Sequence, residues 1–226
     1  MKRFWTTADV SAVDSGWAIA LDGRTLRTPG RVPLEVPTLA LADAIAAEWA
    51  AVDGEVRPGT MPLTGIANAA VDIVSPDPAG FAASLAAYGE TDLTCYRAEG
   101  PQPLVARQVA AWEPALKAVE ARHGLLFRRT AGIVHVAQPA ETLVRLKDLF
   151  AGFSPWQLAP LQPIVSLSGS AVLALALLEG LLEAETAFDA AHVDEAWQAE
   201  QWGADSLALA DRADRRVQFA AAARFL

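Results

Sequence analysis

The stretch GWAIALDGRTLRTPG (residues 16–30) decides the fold class of the first part of the chain. Asp22-Gly23 lies between its two short runs, and an Asp-Gly pair supplies the positive φ angles of a tight two-residue turn. Alternate residues of the first run share one face of a strand: Trp17, Ile19 and Leu21. The pattern therefore predicts a β-hairpin, and RVPLEVP (31–37) predicts a third short strand whose prolines favour an edge or the strand ends.

Helical patterns follow the hairpin. Thr38 is a candidate N-cap for a helix whose residues at helical spacing are Leu41, Ile45, Glu48 or Trp49, and Val52. Further helices are predicted over about 62–74, 78–92, 101–124 and 139–153, with 125–136 as a small strand pair or an extended connector. From residue 154 onward the sequence predicts four helices, broken near Gly169, Gly180 and Gly203.

These elements predict an α+β fold in two parts. A small N-terminal mixed β/α domain that contains the hairpin is expected over residues 1–85, followed by a mostly α-helical C-terminal domain over residues 86–226. The 226 residues are enough for one large domain or two small ones, each with its own core.

Composition excludes several function classes. The chain is 53% hydrophobic and 20% charged, as folded globular proteins are, and its net charge of −9 disfavours long nucleic acid as a partner. A single cysteine, Cys95, rules out an intrachain disulfide and suits a reducing compartment. No Gly-rich phosphate loop and no G-x-G-x-x-G motif are present, so neither ATP hydrolysis nor a dinucleotide cofactor is expected.

One segment requires a membrane test. PIVSLSGSAVLALALL (163–178) is uncharged, but it is shorter than the roughly 20 residues that span a bilayer. We interpret it as a buried core helix and predict no stable membrane insertion, with a peripheral membrane factor as an alternative. The N-terminal MKRFWTTADV has no apolar run behind its basic residues and does not resemble a secretory signal or an organelle import leader.

The stretch DEAWQAEQWGAD (194–205) is rich in acids, amides and tryptophan. If 186–202 is one helix, its inward stripe is formed by Ala190, Val193 and Trp197. The nearly opposite face is formed by Glu195, Gln198 and Trp202. This second face is either a contact surface for another protein or, if Trp202 tucks under the next helix, part of the core.

The sequence gives less support to a catalytic role or a metal site on this helix than to a contact surface. Glu195 and Glu200 point in different directions, so they cannot flank one bond as an acid–base pair, and Glu200 is expected to pair with an internal arginine. His192 and Glu195 form a single pair, so no metal site is predicted. Cys95 is interpreted as a buried thiol, although a small-molecule enzyme that uses Cys95 or a carboxylate stays the alternative function.

Five blocks, in order along nearly the whole chain, carry a family resemblance: GWAIALDGRTLRTP (16–29), MPLTGIANAAVD (61–72), YGETDLTCYRA (88–98), PLVARQVAAWEP (103–114) and DEAWQAEQWG (194–203). They resemble the assembly chaperones of the catalytic head of the F-type ATP synthase. Whether the MPLT and TDL blocks are functional or structural is open, and internal pairing is favoured for Asp72, Asp92 and Arg97.

The resemblance implies a protein without catalysis or cofactor that binds the unassembled α subunit and prevents its aggregation until a β subunit covers the exposed surface. It implies that an acid of the closing block matters for activity, either Glu195 or Glu200. We therefore predict a partner-binding set of Glu195, Gln198, Glu200 and Trp202. The chain is expected to be a monomer in the bacterial cytoplasm, with organelle relatives in mitochondria.

Overall fold

The structure, a computed structural model, describes residues 2–226 and divides them into two compact units. The first unit comprises residues 2–78, 154–160 and 225–226, and the second comprises Ala79–Phe153 and Leu161–Arg224. A small N-terminal sheet is followed by a predominantly helical region, so the predicted α+β class is confirmed. The division into domains 1–85 and 86–226 stays a prediction.

The first unit is built on a small antiparallel sheet. Its strands are β1 (Ala8–Val13), β2 (Gly16–Leu21), β3 (Arg24–Thr25) and β4 (Glu35–Val36), and β2 pairs with each of the others. Asp22 and Gly23 have φ angles of 46° and 76°, the signature of the predicted hairpin turn, which is confirmed. The sequence analysis did not identify β1, because most of its side chains are exposed and the strand lacks a buried alternating pattern.

One helix packs on this sheet and a second follows it. They are α1 (Leu39–Ala50) and α2 (Pro62–Ala69), and α2 continues as one π-helical turn over Ala70–Val74. The Thr38 hydroxyl accepts a hydrogen bond from the Leu41 amide at 3.2 Å, which confirms the predicted N-cap. Of the residues predicted at helical spacing, Glu48 is half-buried, and four are buried: Leu41, Ile45, Trp49 and Val52.

Two of the family-like blocks are tied into this unit by hydrogen bonds. The Glu48 carboxylate accepts from the backbone amides of Leu63 and Thr64, each at 2.8 Å, and so satisfies the free donors at the start of α2. Asp72 accepts from the Thr28 hydroxyl at 2.7 Å and from the Gly30 amide at 2.8 Å. The expected internal pairing of Asp72 is therefore confirmed.

The second unit is mainly helical and contains one short parallel strand pair. Its helices are α3 (Pro78–Ala86), α4 (Gln102–His123), α5 (Ala140–Ala151), α6 (Pro155–Ser168), α7 (Ala171–Leu178), α8 (Ala184–Ala191), α9 (Val193–Trp202) and α10 (Ser206–Phe225), of which α3, α6 and α10 share residues with the first unit. The strands are β5 (Tyr96–Arg97) and β6 (Thr130–Ala131). Most of 125–136 is therefore the extended connector that was one of its two predicted forms.

Two helix predictions need correction. Residues 154–226 contain five helices, α6 to α10, because a further break occurs at His192; the single helix over 186–202 was wrong. His192 has φ −116° and ψ 23°, and its Nδ1–H donates to the Phe188 carbonyl oxygen at 2.7 Å. The segment 163–178 is buried along α7 but is divided at Gly169, whose φ is 65°.

Among the described residues, no helix is both long and apolar enough to cross a bilayer.

Candidate functional site

Helix α9, which carries the predicted partner-binding residues, is fixed at its start by contacts to α4. The buried Gln108 amide donates from Nε2 to the Asp194 carboxylate at 2.7 Å. Just before α9, the Ala190 carbonyl oxygen accepts from the indole Nε1 of Trp112 at 2.6 Å. Because buried side-chain hydrogen bonds restrain the groups they join, α9 leaves the body of the unit in a defined direction.

Glu195 is held by an arginine of α10. The two terminal nitrogens of Arg215 donate to the two carboxylate oxygens of Glu195, each at 3.0 Å. These bonds lower the pKa of Glu195, so its carboxylate is ionised at neutral pH. Arg215 also donates to Nε2 of His192 at 3.1 Å, which requires a neutral imidazole, and burial lowers the pKa of His192 in agreement.

Glu200 lies on a different side of α9 and meets a different arginine. Nη1 of Arg107 lies 2.7 Å from its carboxylate, and this hydrogen bond lowers the pKa of Glu200. The guanidinium of Arg107 also stacks on the Trp197 ring, 4.8 Å from the ring centroid. The expected internal arginine partner of Glu200 is confirmed.

The end of α9 is exposed. The Trp202 side chain is 79% exposed, so the interpretation that it tucks under the following helix was wrong. Gly203, with φ 82°, ends the helix and separates it from α10. The predicted core stripe also needs correction: Val193 and Trp197 are only half-buried, since α9 lies at the edge of the unit.

Two concave surfaces meet at Trp202. The α9–α10 cleft has a volume of about 360 Å³ and is lined chiefly by Glu195, Gln198, Trp202, Leu209, Arg212 and Arg215. The Ile133 groove has a volume of about 600 Å³ and is lined chiefly by Tyr96, Glu99, Leu104, Ile133, Trp197 and Trp202. The structure thus brings Glu195, Gln198 and Trp202 to one cleft, whereas Glu200 lines neither surface.

Two contributors to these surfaces, Arg215 and Ile133, were not predicted from the sequence. Arg215 belongs to the cluster RADRR (212–216), whose density of arginine signals a partner for the acids of the previous helix. Ile133 lies in the connector after β6 and is 98% exposed. Nothing in the local sequence places Ile133 beside α9, because the two are brought together only by the tertiary fold.

The surroundings of Cys95 do not favour the alternative catalytic role of its thiol. Cys95 is fully buried, and this burial raises the pKa of its thiol to about 12, so it is not a thiolate nucleophile at neutral pH. Across residues 2–226, no group of three or more metal-ligating side chains is placed to hold an ion.

Asp92 and Arg97 pair internally as expected, Asp92 with Ser170 and Arg97 with Glu113.

Known proteins share this fold over nearly its whole length. The crystal structure of Atp12 from Paracoccus denitrificans superimposes with a TM-score of 0.93, at 41% identity, over 99% of this chain and 96% of that one. A mutant of the same P. denitrificans protein with one aspartate replaced by lysine gives a TM-score of 0.93 at 40% identity, over 99% and 96% of the two chains. A putative chaperone from Agrobacterium tumefaciens also gives 0.93 at 40% identity, over 99% and 84% of the two chains.

Sequence comparison finds relatives of the same family as the solved structures. The mitochondrial protein atp12 of Schizosaccharomyces pombe is 27% identical over 216 residues, which cover 89% of this chain and 74% of the yeast protein. The family model described as "ATP12 chaperone protein" matches residues 2–120, more than half of the chain. The matching family model and the structural relatives define the class of protein as an assembly chaperone. The chain belongs to the ATP12 chaperone family, which serves ATP synthase assembly.

Proposed function

We propose that the protein is an ATP-independent, non-enzymatic chaperone that binds the unassembled α subunit of the ATP synthase catalytic head. Family membership and the five sequence blocks support this proposal. A free ring subunit exposes apolar surface that its neighbour normally covers, and such surface aggregates. The chaperone covers that surface until the β subunit replaces it. We place the protein in the bacterial cytoplasm as a monomer.

We further propose that the exposed end of α9 contacts the client. The observation that carries this assignment is Trp202, a large aromatic side chain held in solvent at the meeting point of two concave surfaces. Tryptophan is enriched among the residues that dominate binding energy at protein interfaces. Gln198 adds an exposed amide to the same surface. A helix end already carries an ordered backbone, so less backbone has to be ordered when it binds.

Of the two candidate acids, we assign the functional role to Glu195. Its carboxylate lines the same cleft as Trp202, whereas the Glu200 carboxylate faces Arg107 outside both surfaces. Because Arg215 holds both oxygens of Glu195, the pair fixes α10 against α9 and shapes the cleft. The prediction from the sequence that Glu200 also contacts the client is untested, and this proposal does not include it.

The test is suppression of aggregation of the purified α subunit, followed by light scattering at equal stoichiometry. The wild-type chain is expected to keep the α subunit soluble without added nucleotide, and Trp202→Ala is expected to lose most of this effect. Phe4→Ala is the matched control, because Phe4 is also a largely exposed aromatic residue but lies in the first unit. A wild-type chain that leaves the scattering unchanged overturns the proposed function.

A further inference from the structure

The Ile133 groove combines apolar walls with a negative charge that the fold leaves without a counter-ion. Ile133, Tyr96 and Trp202 approach it from three separate elements: the connector after β6, strand β5 and the end of α9. Ile133 follows Gly132, whose φ of 81° and amide hydrogen bond to the Arg97 carbonyl oxygen at 2.9 Å hold the turn in place. The protruding side chain is therefore presented by a fixed turn.

The arginine of the groove is already engaged. Arg97 is only 9% exposed; it donates to the Glu113 carboxylate at 2.9 Å and to the Gln108 carbonyl oxygen at 3.1 Å. Its guanidinium also stacks on the Trp112 ring, 5.1 Å from the centroid. The guanidinium of Arg97 is thus engaged by groups inside the protein and is not offered to a ligand.

Two acids line the groove: Asp194, which accepts a hydrogen bond from the Gln108 amide at 2.7 Å, and Glu99. Glu99 is exposed, and among residues 2–226 it has neither a salt-bridge partner nor a hydrogen-bond donor. It lies against the turn that presents Ile133, since a Cβ placed on Gly132 would lie 3.2 Å from Oε1 of Glu99. The groove therefore presents an uncompensated carboxylate beside an exposed apolar side chain, in a chain whose net charge is −9.

We infer that the Ile133 groove binds an apolar segment of the client that carries a lysine or arginine facing Glu99. This inference rests on the proposed function and extends it, because it adds a second contact region and the chemistry of the client segment. Charge complementarity selects a basic segment, since a carboxylate without a counter-ion attracts a cation and repels an acid. The apolar walls supply the contact area, and the charge sets which segment binds.

The experiment measures the affinity of the purified α subunit for four variants by surface-immobilised binding at two salt concentrations. Ile133→Ser is expected to weaken binding about tenfold, because it removes most of a buried apolar side chain from the complex. Glu99→Lys is expected to weaken it by a similar factor, and the loss should shrink as salt rises. Two variants on α5 serve as matched controls, Val144→Ser and Asp148→Lys, and both are expected to stay within about twofold of wild type.

The outcomes separate the two proposals. If the wild-type chain binds the α subunit but Ile133→Ser and Glu99→Lys bind as tightly as their controls, the groove inference is overturned and the proposed function stands. If the wild-type chain does not bind the α subunit, the proposed function and the groove inference are both overturned. A change of oligomeric state in Ile133→Ser with unchanged client affinity assigns the groove to a second copy of this chain and also overturns the inference.

Discussion

Two acidic blocks of the second unit differ in how far the fold buries and bonds their side chains. The carboxylate of Asp92, in the TDL block, is fully buried and accepts four hydrogen bonds: from the Thr94 amide at 3.0 Å, the Thr94 hydroxyl at 2.7 Å, the Ser170 hydroxyl at 2.8 Å and the Val172 amide at 3.0 Å. The closing block on α9 instead leaves Gln198 and Trp202 in solvent.

The two blocks differ in how many of their side-chain groups remain available to bind another protein. The donors around Asp92 are all hydrogen-bonded within the protein. Two of the four bonds, from Ser170 and Val172, hold the start of α7, a helix buried along its first six residues. Burial also raises the pKa of the Asp92 carboxyl. On α9, by contrast, the carboxylates of Glu195 and Glu200 are paired with arginines, and the ring of Trp202 is exposed to solvent. The first block therefore has a structural role, and we assign the second to the client.

The largest effect is expected at the buried block. Asp92→Ala should lower the free energy of unfolding by about 3–5 kcal/mol, because it leaves the buried Ser170 hydroxyl and Val172 amide without an acceptor. Urea denaturation measures the loss. Asp92→Asn, which keeps one acceptor oxygen, should lose less. A change below about 1 kcal/mol in Asp92→Ala would show that the network is not structural.

The next effect sharpens the comparison at the exposed block. Trp202→Ala should weaken α-subunit binding by about 2 kcal/mol, roughly thirty-fold, and change the unfolding free energy by less than about 0.5 kcal/mol. Trp112→Ala is the matched control: its ring is buried, so it should destabilise the fold by about 3–5 kcal/mol. Isothermal titration and urea denaturation separate the two quantities, and a destabilised Trp202→Ala would contradict the assignment.

A smaller effect distinguishes the two acids of α9. Glu195→Lys should weaken client binding about tenfold, because a lysine there repels Arg215 and opens the α9–α10 cleft. Glu200→Lys should leave the affinity within about twofold, since Glu200 lines neither concave surface. The same titration measures both variants. If Glu200→Lys has the larger effect, the assignment of the functional acid is reversed.

The smallest effect concerns pH. Because the folded state lowers the pKa of Glu195, its ion pair stabilises the protein above the unfolded pKa of about 4.3, and this contribution is lost as the pH falls through the lower folded value. The side chain is about half exposed, so solvent screening limits the contribution to about 0.5–1 kcal/mol. Glu195→Gln should therefore be less stable than wild type at pH 7, and the difference should disappear once the pH lies below the folded pKa of Glu195. A difference that persists in acid would exclude the ion pair as its cause.

Much of the fold follows from local sequence signals. The Asp22-Gly23 turn and the Thr38 cap were predicted correctly, as was the end of α4 at Gly124, whose φ is 63°. Each depends on the chemistry of one or two neighbouring residues. The break at His192 was missed because no glycine or proline marks it. The ring of His192 is instead held by Phe188 and Arg215, and the second of these contacts is tertiary.

The candidate site was predictable only in part. Helical periodicity placed Glu195, Gln198 and Trp202 on one face, and this holds because all three lie within α9. The arginine that holds Glu195 lies 20 residues away on another helix, and Ile133 lies on a connector. Spacing within one element cannot place residues from other elements.

The most direct test of the claim that the end of α9 touches the client is hydrogen–deuterium exchange on the co-purified complex with the α subunit. Compared with the free chain, the complex should slow exchange over about 198–209, and the amides around Asp92 should be unchanged. Slowed exchange confined to the first unit, with 198–209 as fast as in the free protein, would contradict the account.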